Sequence, residues 1–403
     1  MKFIDIDFTE PLHEGIEAMG YKECTPIQEK AIPVIQERKD LIACAQTGTG
    51  KTAAFLLPIL DRISQCPDDS KIRALIIVPT RELALQIDQQ IEGMSYYSNV
   101  SSIPVYGGSE SDMWSRQKQA LSSGADIVVA TPGRLLQHLG FNYVDLKEID
   151  VVILDEADRM LDMGFYEDIV KIMSETPDSR QTLLFSATMP SKIRKLANTI
   201  LNDPEEVNIA ISKPAEKILQ VAYMVYDKNK VALIQSLLEG KDYLNGAIIF
   251  CSRKSDVNEL SRALNKLNLH SAAIHSDLDQ KERENALLDF RSHKIQLLVA
   301  TDILARGIDI KDLDLVINYN VPNDAADYVH RVGRTARADA SGIAITLISD
   351  KDQSEFKDIE VLIEREILKL NTPPEIGDSP VYAPNSKRHH GFNKKRRFYK
   401  KKK

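Results

Sequence analysis

AQTGTGKT (Ala45-Gln46-Thr47-Gly48-Thr49-Gly50-Lys51-Thr52) lies between a short apolar run and a helical pattern. It matches the phosphate-loop pattern GxxxxGK[ST], with Ala45 in place of the first glycine. The remaining glycines allow backbone N–H groups to turn toward an anion at a helix N-terminus. Lys51 can then reach the β- and γ-phosphates of a nucleotide, and Thr52 can hold Mg²⁺. The simpler alternative, a glycine-rich turn before a helix, does not account for the agreement of strand, loop and helix.

Two acidic residues follow a later apolar run, Val151–Leu154. Asp155 can coordinate Mg²⁺ through water, and Glu156 can orient and deprotonate an attacking water molecule. For this pair alone, two acids that end a strand and begin a solvated helix are the simpler interpretation. A phosphate loop in the same chain favours the chemical role.

Short apolar runs bounded by turn residues recur along the chain and predict buried β-strands, with amphipathic helical stretches between them. This alternation predicts an α/β fold of mainly parallel sheets with helices on both faces. Ten strands are too many for one small domain, and 403 residues suggest two or three domains. The predicted strands are Leu41–Ala45, Ala74–Val78, Ile127–Ala130, Val151–Leu154, Thr182–Phe185, Ala247–Cys251, Ala272–His275, Gln296–Ala300, Leu315–Asn318 and Ile343–Ile348.

The break between domains is predicted at Asn202–Ala215, a polar stretch that contains Pro204 and Pro214. From Asn371 onward the chain turns to Pro, Asn, Lys and Arg without apolar periodicity, which is typical of a disordered tail. The predicted organisation is a first domain at 1–207, a linker at 208–215, a second domain at 216–370 and a basic tail at 371–403.

Charge is distributed unevenly along the chain. The whole sequence carries a net charge of −7, but residues 385–403 hold ten Lys or Arg and no acid. The other 384 residues hold 42 basic and 59 acidic residues, a net charge of −17. A basic tail on an acidic body suggests a polyanionic partner, and a solvated, disordered end accounts for the asymmetry alone equally well.

Composition argues against several other classes of protein. Hydrophobic residues make up 43% and charged residues 28% of the chain, as in ordinary globular proteins. No apolar run approaches the length of about 18 residues that a membrane span needs, and MKFIDIDFTE at the N-terminus has acids where a signal peptide has an apolar core. The four cysteines form no CxxC pair, which argues against a zinc ribbon or a disulfide framework and predicts a reducing, cytoplasmic location.

The acidic pair begins a motif that spells DEAD, Asp155-Glu156-Ala157-Asp158, and further segments accompany it along the chain. They are AQTGTGKT (45–52), PTRELALQ (79–86), TPGR (131–134), SAT (186–188), TDILARGID (301–309) and HRVGRTAR (330–337). From residue 3 to about residue 350, the sequence resembles a DEAD-box ATP-dependent RNA helicase. The short core with a basic tail is most similar to the bacterial RhlE-type members. The resemblance implies two RecA-like domains, ATP and Mg²⁺ in the site, and RNA as partner.

The segment GYKECTPIQ, from Gly20 to Gln28, resembles the motif with which the family recognises adenine. A glutamine amide can accept from adenine N6 and donate to N7, whereas guanine O6 would face the amide oxygen, so Gln28 predicts a preference for ATP. The family also uses an aromatic residue seventeen positions before the leading glycine, and counting back from Gly20 gives Phe3. Phe8 is the rival for stacking on adenine, and ordinary core packing is the alternative for either ring.

Two helices of the first domain are predicted to begin directly after strands, at Thr80 and Thr131, where threonine can cap the helix and a nearby arginine adds charge toward a phosphate. A single capped helix is usually only structural. The resemblance assigns these segments to the RNA backbone, whose contacts position a strand without distinguishing its sequence. The implied RNA contacts are Pro79, Thr80, Arg81, Gly107, Gly108, Thr131, Pro132, Gly133 and Arg134 in the first domain, and Gln280, Arg283 and Thr301 in the second.

In the second domain, the spacing i, i+4, i+7 of His330, Arg334 and Arg337 puts them on one face of a helix. This face could be a solvated surface or an ion-pair network. A phosphate loop in the other domain favours arginine fingers at Arg334 and Arg337, supplied when the domains close. The family's roles agree with that assignment.

The resemblance implies further roles for residues of both domains. Asp309 would contact the ATP ribose, and Gly307 would approach the γ-phosphate. Coupling of hydrolysis to strand separation would involve Ser186, Thr188, Asp158, His330 and Arg331. For the two hydroxyl residues, capping of a loop is the simpler interpretation.

These expectations combine into one activity. ATP binding closes the two domains on an RNA strand and locally separates short duplexes, and hydrolysis to ADP and phosphate releases the RNA. An ATP-gated RNA clamp or ribonucleoprotein assembly factor with incidental unwinding would use the same residues. A DNA helicase is not excluded, because contacts to the 2′-OH cannot be derived from sequence. A small-molecule kinase is disfavoured, since it leaves the arginines of the second domain without a role. The core is expected to be monomeric, with ribosomes or RNA-degradation assemblies as partners.

The basic tail leads to the first testable prediction. Residues 385–403 carry Phe392, Phe398 and Tyr399 among their cations, and cations neutralise phosphates while rings stack on unpaired bases. Deleting 385–403 should raise the RNA concentration for half-maximal ATPase activity, leave the saturated rate unchanged, and flatten the dependence of log affinity on log salt. ATPase titrations with RNA at several salt concentrations measure all three quantities. If the RNA requirement and the salt slope both stay unchanged, the tail is only a solubility segment.

Overall fold

A computed structural model describes residues 1–46, 48–65, 71–108, 111–209, 218–240, 246–302, 313–335 and 342–384. Within these ranges the chain forms two sheets of seven strands, and neighbouring strands in both sheets are parallel. The predicted α/β architecture with two parallel sheets is confirmed. None of the helices in these ranges combines the length and apolar character that crossing a membrane requires.

The first sheet has the strand order β3-β4-β2-β5-β6-β1-β7. Its strands are β1 (Leu41–Cys44), β2 (Ala74–Ile77), β3 (Ser102–Val105), β4 (Ile127–Ala130), β5 (Val151–Leu154), β6 (Gln181–Ser186) and β7 (Glu205–Asn208). A short 3₁₀ helix, Phe3–Asp5, begins this half of the chain. The α-helices are α1 (Glu10–Ala18), α2 (Pro26–Gln36), α3 (Lys51–Gln65), α4 (Arg81–Met94), α5 (Ser111–Ser123), α6 (Pro132–Leu139), α7 (Ala157–Asp162), α8 (Tyr166–Ser174) and α9 (Ser191–Ile200).

The second sheet has the order β10-β11-β9-β12-β13-β8-β14, which is the first order with seven added to every number. Its strands are β8 (Leu219–Met224), β9 (Ala247–Cys251), β10 (Ser271–Ile274), β11 (Leu297–Thr301), β12 (Leu315–Asn318), β13 (Ile343–Ile348) and β14 (Leu368–Asn371). The described helices are a 3₁₀ turn at Asp227–Asn229 and α10 (Lys230–Leu238), α11 (Lys254–Lys266), α12 (Gln280–Arg291), α13 (Ala325–Val332) and α14 (Gln353–Leu362).

The apolar runs of the central strands are buried on both faces of the sheet. In β2, Ala74 and Ile76 pack into one hydrophobic cluster, and Leu75 and Ile77 pack into the cluster on the opposite face. Since helices cover both faces, every position of such a strand is apolar instead of every second one. For the same reason these strands could be identified from sequence, and all ten predicted strands are present within a residue at each end.

Four strands were missed by the sequence analysis, and three of them, β3, β7 and β14, lie at sheet edges. Edge strands are covered less, and in β7 only Val207 is buried. A single apolar residue gives no recognisable run, so β7 went unnoticed inside the stretch predicted as the domain break. Of the predicted linker 208–215, residues 210–215 lie outside the described part of the chain.

The prediction that the tail begins at 371 is wrong, because residues 372–384, here called the C-terminal segment, pack on the second domain. Ala383 N donates to Gln353 Oε1 at 2.6 Å, and Gln353 Nε2 donates to Val381 O at 3.0 Å. Tyr382 Oη donates to Glu360 Oε2 at 3.1 Å. Besides these hydrogen bonds, the isolated residues Ile376 and Tyr382 pack against the hydrophobic core. Isolated apolar residues form no stripe, so hydrophobic periodicity could not detect the segment. Residues 385–403 lie outside the described part.

Two truncations test this corrected boundary. Deleting 385–403 should leave the unfolding midpoint of the second domain unchanged, because it removes none of these contacts. Deleting 372–403 should lower the free energy of unfolding by about 2 kcal/mol or more, since several hydrogen bonds of about 1 kcal/mol each are lost. Urea unfolding followed by circular dichroism measures the difference. Equal midpoints for both truncations would mean that the C-terminal segment does not stabilise the domain.

Candidate functional site

A cavity of about 360 Å³ lies between the two domains. The first domain contributes the segment around Gln28, the phosphate loop, part of α4 and the end of β5, and the second domain contributes Arg334. The structure therefore brings together residues that lie more than 300 positions apart in the sequence. Predicted site residues that line the cavity are Gln28, Gly48, Gly50, Lys51, Thr52, Asp155, Glu156 and Arg334.

The phosphate loop bends through two glycines in left-handed conformations, Gly48 with φ +85° and Gly50 with φ +91°. The φ of +91° favours glycine at position 50, and a Cβ there would also lie 2.5 Å from Gln28 Nε2. Lys51 begins α3, is almost fully buried, and donates from Nζ to the carbonyl of Ala45 at 2.6 Å. The ammonium group is thus enclosed by the loop at a helix N-terminus, where an anion is favoured. Thr47 lies outside the described residues.

Gln28 connects the segment from Gly20 to Gln28 to the phosphate loop. Its amide oxygen accepts from Thr25 N at 2.8 Å, and its Nε2 donates to Gly50 O at 3.1 Å. An amide has two acceptor sites and two N–H donors, so one of each remains for a ligand. The side chain is buried and fixed at both ends, which gives it one orientation toward the cavity.

The prediction that Phe3 stacks on adenine is not supported by its position. Phe3 is only 2% exposed, belongs to the hydrophobic core, and does not line the cavity. Its ring packs against Tyr21 with centroids 5.8 Å apart, and Tyr21 lines the cavity. Phe8, the rival, is also a core residue. The aromatic ring that faces the cavity is therefore that of Tyr21, which directly follows the leading Gly20. The sequence analysis did not identify Tyr21, because the family spacing places the aromatic residue seventeen positions upstream.

The two acids at the end of β5 differ in their surroundings. Asp155 is buried and accepts from Glu156 N at 2.9 Å. Burial raises the pKa of Asp155 to about 6, and the nearby Lys51 ammonium opposes this rise. Glu156 has φ +52°, a conformation that costs free energy in a non-glycine residue. Its Oε2 lies 3.0 Å from Nη1 of buried Arg159, a partner that the sequence analysis did not identify.

Asp158 connects the acidic motif to the loop after β6. Its Oδ2 accepts from the backbone N of Ala187 at 3.1 Å, and from N and Oγ1 of Thr188 at 3.0 Å each. Ser186 Oγ donates to Thr188 O at 2.7 Å. The two hydroxyl residues do hold a loop, as the simpler interpretation expected. Thr188 also donates to the carboxylate of Asp158, which belongs to the DEAD motif. Three hydrogen bonds thus connect the acidic motif directly to the loop after β6.

The predicted RNA contacts of the first domain follow β2, β3 and β4, which are neighbours at one edge of the sheet in the order β3-β4-β2. Thr80 Oγ1 accepts from Leu83 N at 3.4 Å and caps α4, whereas the side chain of Thr131 makes no capping hydrogen bond. Capping by Thr131 was therefore predicted wrongly, and Pro132 at the first position of α6 suits the helix start instead. Three segments therefore lie side by side and form one edge of the domain, at the carboxyl ends of these strands: Pro79–Arg81, Gly107–Gly108 and Thr131–Arg134.

Arginines of both domains that were predicted to contact RNA form ion pairs across the domain interface. Arg81 Nη2 lies 2.8 Å from Glu284 Oε1, and Arg283 Nη1 lies 3.4 Å from Glu82 Oε1. The arrangement is reciprocal, because each arginine pairs with the acid beside the other. Thr301 is partly buried at the end of β11, and Gln280 begins α12 with a side chain outside the described part.

Arg331 and Arg334 have different surroundings despite their proximity in sequence. Arg331 is buried, and its Nε and Nη2 donate to Asp302 Oδ1 and Oδ2 at 2.6 and 2.7 Å. Its Nη1 also donates to Asn318 Oδ1 at 3.1 Å, so it joins β11 to β12. Arg334 lines the cavity, and His330 on α13 is partly buried. Gly307, Asp309 and Arg337 lie outside the described residues.

Comparison with known families and proteins agrees with this site. Residues 25–196 match the DEAD/DEAH box helicase family, and residues 229–339 match the helicase conserved C-terminal domain. The ATP-dependent RNA helicase CshA of Listeria monocytogenes is 42% identical over 373 residues, which cover 92% of this chain and 71% of that protein. The DEAD-box ATP-dependent RNA helicase CshA of Bacillus subtilis is 40% identical and covers 92% of this chain and 74% of that protein.

Solved structures of similar proteins share the two-domain fold. S. cerevisiae Dbp5 bound to RNA and ADP BeF3 superposes with a TM-score of 0.81 at 29% identity, over 92% of this chain and 95% of that one. Mss116p bound to ssRNA and AMP-PNP gives a TM-score of 0.79 at 30% identity, over 91% of this chain and 78% of that one. The two sheets are thus RecA-like domains, and the chain belongs to the DEAD-box ATP-dependent RNA helicases.

Proposed function

We propose that this helicase separates short RNA duplexes locally, by closing its two domains on one RNA strand when ATP binds between them. The observation that carries this proposal is the cavity lined by the phosphate loop of the first domain and by Arg334 of the second. A nucleotide held there touches both domains, so its arrival and its hydrolysis change the free energy of closure. The nucleotide therefore favours domain closure as a ligand and is also the substrate that is hydrolysed.

The first domain has the residues that ATP requires. Lys51 and the backbone of the phosphate loop bind phosphate, and Gln28 offers its remaining donor and acceptor to adenine. The left-handed Gly50 fits this role, because a side chain there would collide with Gln28. Tyr21 supplies an aromatic face at the adenine end of the cavity.

Thr52 and Asp155 are the proposed Mg²⁺ ligands. Within the described residues, no group of three or more His, Cys, Asp and Glu is arranged to hold a metal ion. Mg²⁺ in nucleotide sites is usually bound by one or two carboxylates, water and phosphate oxygens, so a hydroxyl and a single carboxylate fit this ion. When bound, Mg²⁺ neutralises charge on the β- and γ-phosphate oxygens. Its positive charge would also favour the ionised form of Asp155.

Hydrolysis needs a group that accepts a proton from water, and Glu156 has this role in our proposal. Arg159 holds its carboxylate at 3.0 Å and thereby limits the positions that it can take. Arg334 from the second domain stabilises charge on the phosphate in the transition state, together with Arg337. Arginine fingers contribute about 10³ to 10⁵ in rate in comparable enzymes, so the reaction is slow until the domains close.

RNA is proposed to bind along the edge formed by the segments Pro79–Arg81, Gly107–Gly108 and Thr131–Arg134. These groups are backbone amides, hydroxyls and guanidinium groups, which suit phosphate and sugar and predict little sequence preference. The RNA-bound states of Dbp5 and Mss116p support RNA as the partner. In the present arrangement Arg81 and Arg283 are paired with Glu284 and Glu82, so a phosphate that binds either arginine competes with these carboxylates or uses the remaining N–H donors.

Coupling between the two events is assigned to Asp158, Ser186 and Thr188 in the first domain, with His330 and Arg331 in the second. The three hydrogen bonds that Asp158 accepts support the first part of this assignment. Four points stay predictions: the RhlE-type subgroup, the cytoplasmic location, the monomeric core, and ribosomes or RNA-degradation assemblies as partners. The relatives named above bear the name CshA, which favours that type over RhlE.

Replacing the proposed base tests the chemistry. Glu156→Gln should lower the RNA-stimulated turnover number by about 100-fold or more, because the amide cannot take a proton from water. Binding of ATP and RNA should persist, since the amide oxygen can still accept from Arg159. Glu167→Gln makes the same charge change at an exposed position of α8 and should retain wild-type turnover. ATPase assays at saturating RNA give the result, and near-wild-type turnover in Glu156→Gln would rule out this assignment.

Two aromatic substitutions decide which ring contacts adenine. Tyr21→Leu should raise the KM for ATP by about 2- to 10-fold, since ring stacking contributes about 0.5–1.5 kcal/mol. Phe3→Leu should lower the unfolding midpoint and change the KM by less than about twofold, because its ring packs in the core. Steady-state ATPase kinetics and thermal melts of both variants provide the comparison. A larger KM effect in Phe3→Leu would restore the upstream ring as the adenine contact.

A further inference from the structure

We infer that Trp114, the only tryptophan of the chain, is a positioning residue that fixes the guanidinium of Arg134 for contact with RNA. The inference rests on the proposed function, in which Arg134 contacts the RNA backbone. It concerns α5, a helix that contains none of the recognised motifs. It follows from a set of contacts that joins α5 to α6 and to the end of β3.

Three contacts fix the position and orientation of the Arg134 guanidinium. Its Cζ lies 4.6 Å from the centroid of the Trp114 ring, within the range of a cation–π interaction. Nε donates to Gln117 Oε1 at 3.1 Å, and Nη1 donates to Gln137 Oε1 at 3.3 Å. A guanidinium has five N–H donors, so these bonds leave others for a phosphate oxygen.

The Trp114 ring is itself held by His138. The two rings are nearly parallel, with centroids 4.0 Å apart and 14° between their planes. His138 is fully buried, and its Nδ1 and Nε2 contact Tyr143 Oη and Gln117 Oε1. Burial and the nearby charge of Arg134 lower the pKa of His138 to about 4, so the imidazole is neutral at pH 7. With a proton on Nε2, it donates to Gln117 and accepts from Tyr143, and every polar atom of the ring is satisfied.

Gln117 joins this network to a second proposed RNA segment. It is 2% exposed, and its Nε2 donates to the carbonyl of Tyr106 at 3.1 Å, directly before Gly107. The guanidinium of Arg81 lies 4.6 Å from the centroid of the Tyr106 ring. A chain of contacts thus runs from Arg81 through Tyr106 and Gln117 to Arg134, across the edge proposed for RNA.

A guanidinium that is already held in position loses less conformational entropy when it binds a phosphate. Arginine loses rotamer freedom when it binds a phosphate, and a side chain that is already ordered loses less. Trp114 therefore raises RNA affinity without contacting RNA. The alternative is that Trp114 only packs α5 against α6, in which case its loss would weaken RNA binding whether or not Arg134 is present.

The experiment compares two replacements of Trp114 in two backgrounds. Trp114→Phe keeps an aromatic face, and Trp114→Leu keeps an apolar side chain without one. With Arg134 present, Trp114→Leu should raise the RNA concentration for half-maximal ATPase by about 3- to 10-fold, the size of a partly exposed cation–π contact, and Trp114→Phe by less than about twofold. The saturated rate should stay at the wild-type value, because the chemical step is untouched. In the Arg134→Ala background, Trp114→Leu should have no further effect.

Three outcomes overturn the inference, and a control supports its interpretation. If Trp114→Leu weakens RNA binding equally in both backgrounds, Trp114 has a structural role only. If Trp114→Phe and Trp114→Leu have equal effects, the aromatic face of Trp114 does not contribute to RNA binding. If Arg134→Ala leaves the RNA requirement unchanged, Arg134 does not contact RNA, and that part of the proposed function fails as well. Arg116→Ala removes a cation from an exposed position of α5, and its effect should add to that of Trp114→Leu. Urea unfolding of each variant identifies any that lose their fold, and Trp114→Phe then carries the comparison.

Discussion

All strands of both sheets run in parallel, and this constraint determines where the chemistry can be. Parallel strands need crossover connections, so the carboxyl ends of every strand in a sheet meet at one edge. The phosphate loop follows β1, the acidic pair follows β5, and Ser186 ends β6, and these three strands are adjacent. The segments proposed for RNA follow β3, β4 and β2, also adjacent. The carboxyl ends of the strands in the first sheet thereby carry the proposed nucleotide site and the proposed RNA site side by side.

Hydrogen bonds connect the segments that carry the two proposed sites. Asp158 joins the acidic motif to the loop after β6, and Gln28 joins the segment that begins at Gly20 to the phosphate loop. Gln117 joins Arg134 to the end of β3. Such buried and satisfied polar networks hold side chains in one geometry. Across the interface the contacts are different in kind, because partly exposed ion pairs such as Arg81 with Glu284 can exchange partners at little cost. The contacts within the first domain are therefore mostly buried hydrogen bonds, whereas these contacts between the domains are partly exposed ion pairs.

Sequence was sufficient for the parts of this protein that are governed by burial or by motif chemistry. Nine of the ten identified strands are covered on both faces, and only the edge strand β10 is mostly half-buried. The phosphate loop was identified because glycines and a lysine at this spacing suit a bound phosphate and little else. The edge strand β7 and the C-terminal segment gave no apolar pattern, since their buried apolar residues are isolated. For Phe3, spacing gives a position along the chain and not the direction of the ring, which packs in the core. Arg159, Gln117 and Trp114 belong to no motif, and only their contacts in three dimensions indicate what they do.

The repeated strand order has a consequence for stoichiometry. The two halves have the same topology, yet the connection after β8, Val225-Tyr226-Asp227, has no glycine, whereas the matching connection after β1 is the phosphate loop. Two similar domains joined in one chain thus resemble a dimer in which one half binds nucleotide and the other half supplies Arg334. ATPases that take this arginine from a neighbouring subunit must assemble before they act. In the proposed function, the domain that supplies Arg334 belongs to the same chain, so completing the site is a unimolecular step whose equilibrium does not depend on protein concentration.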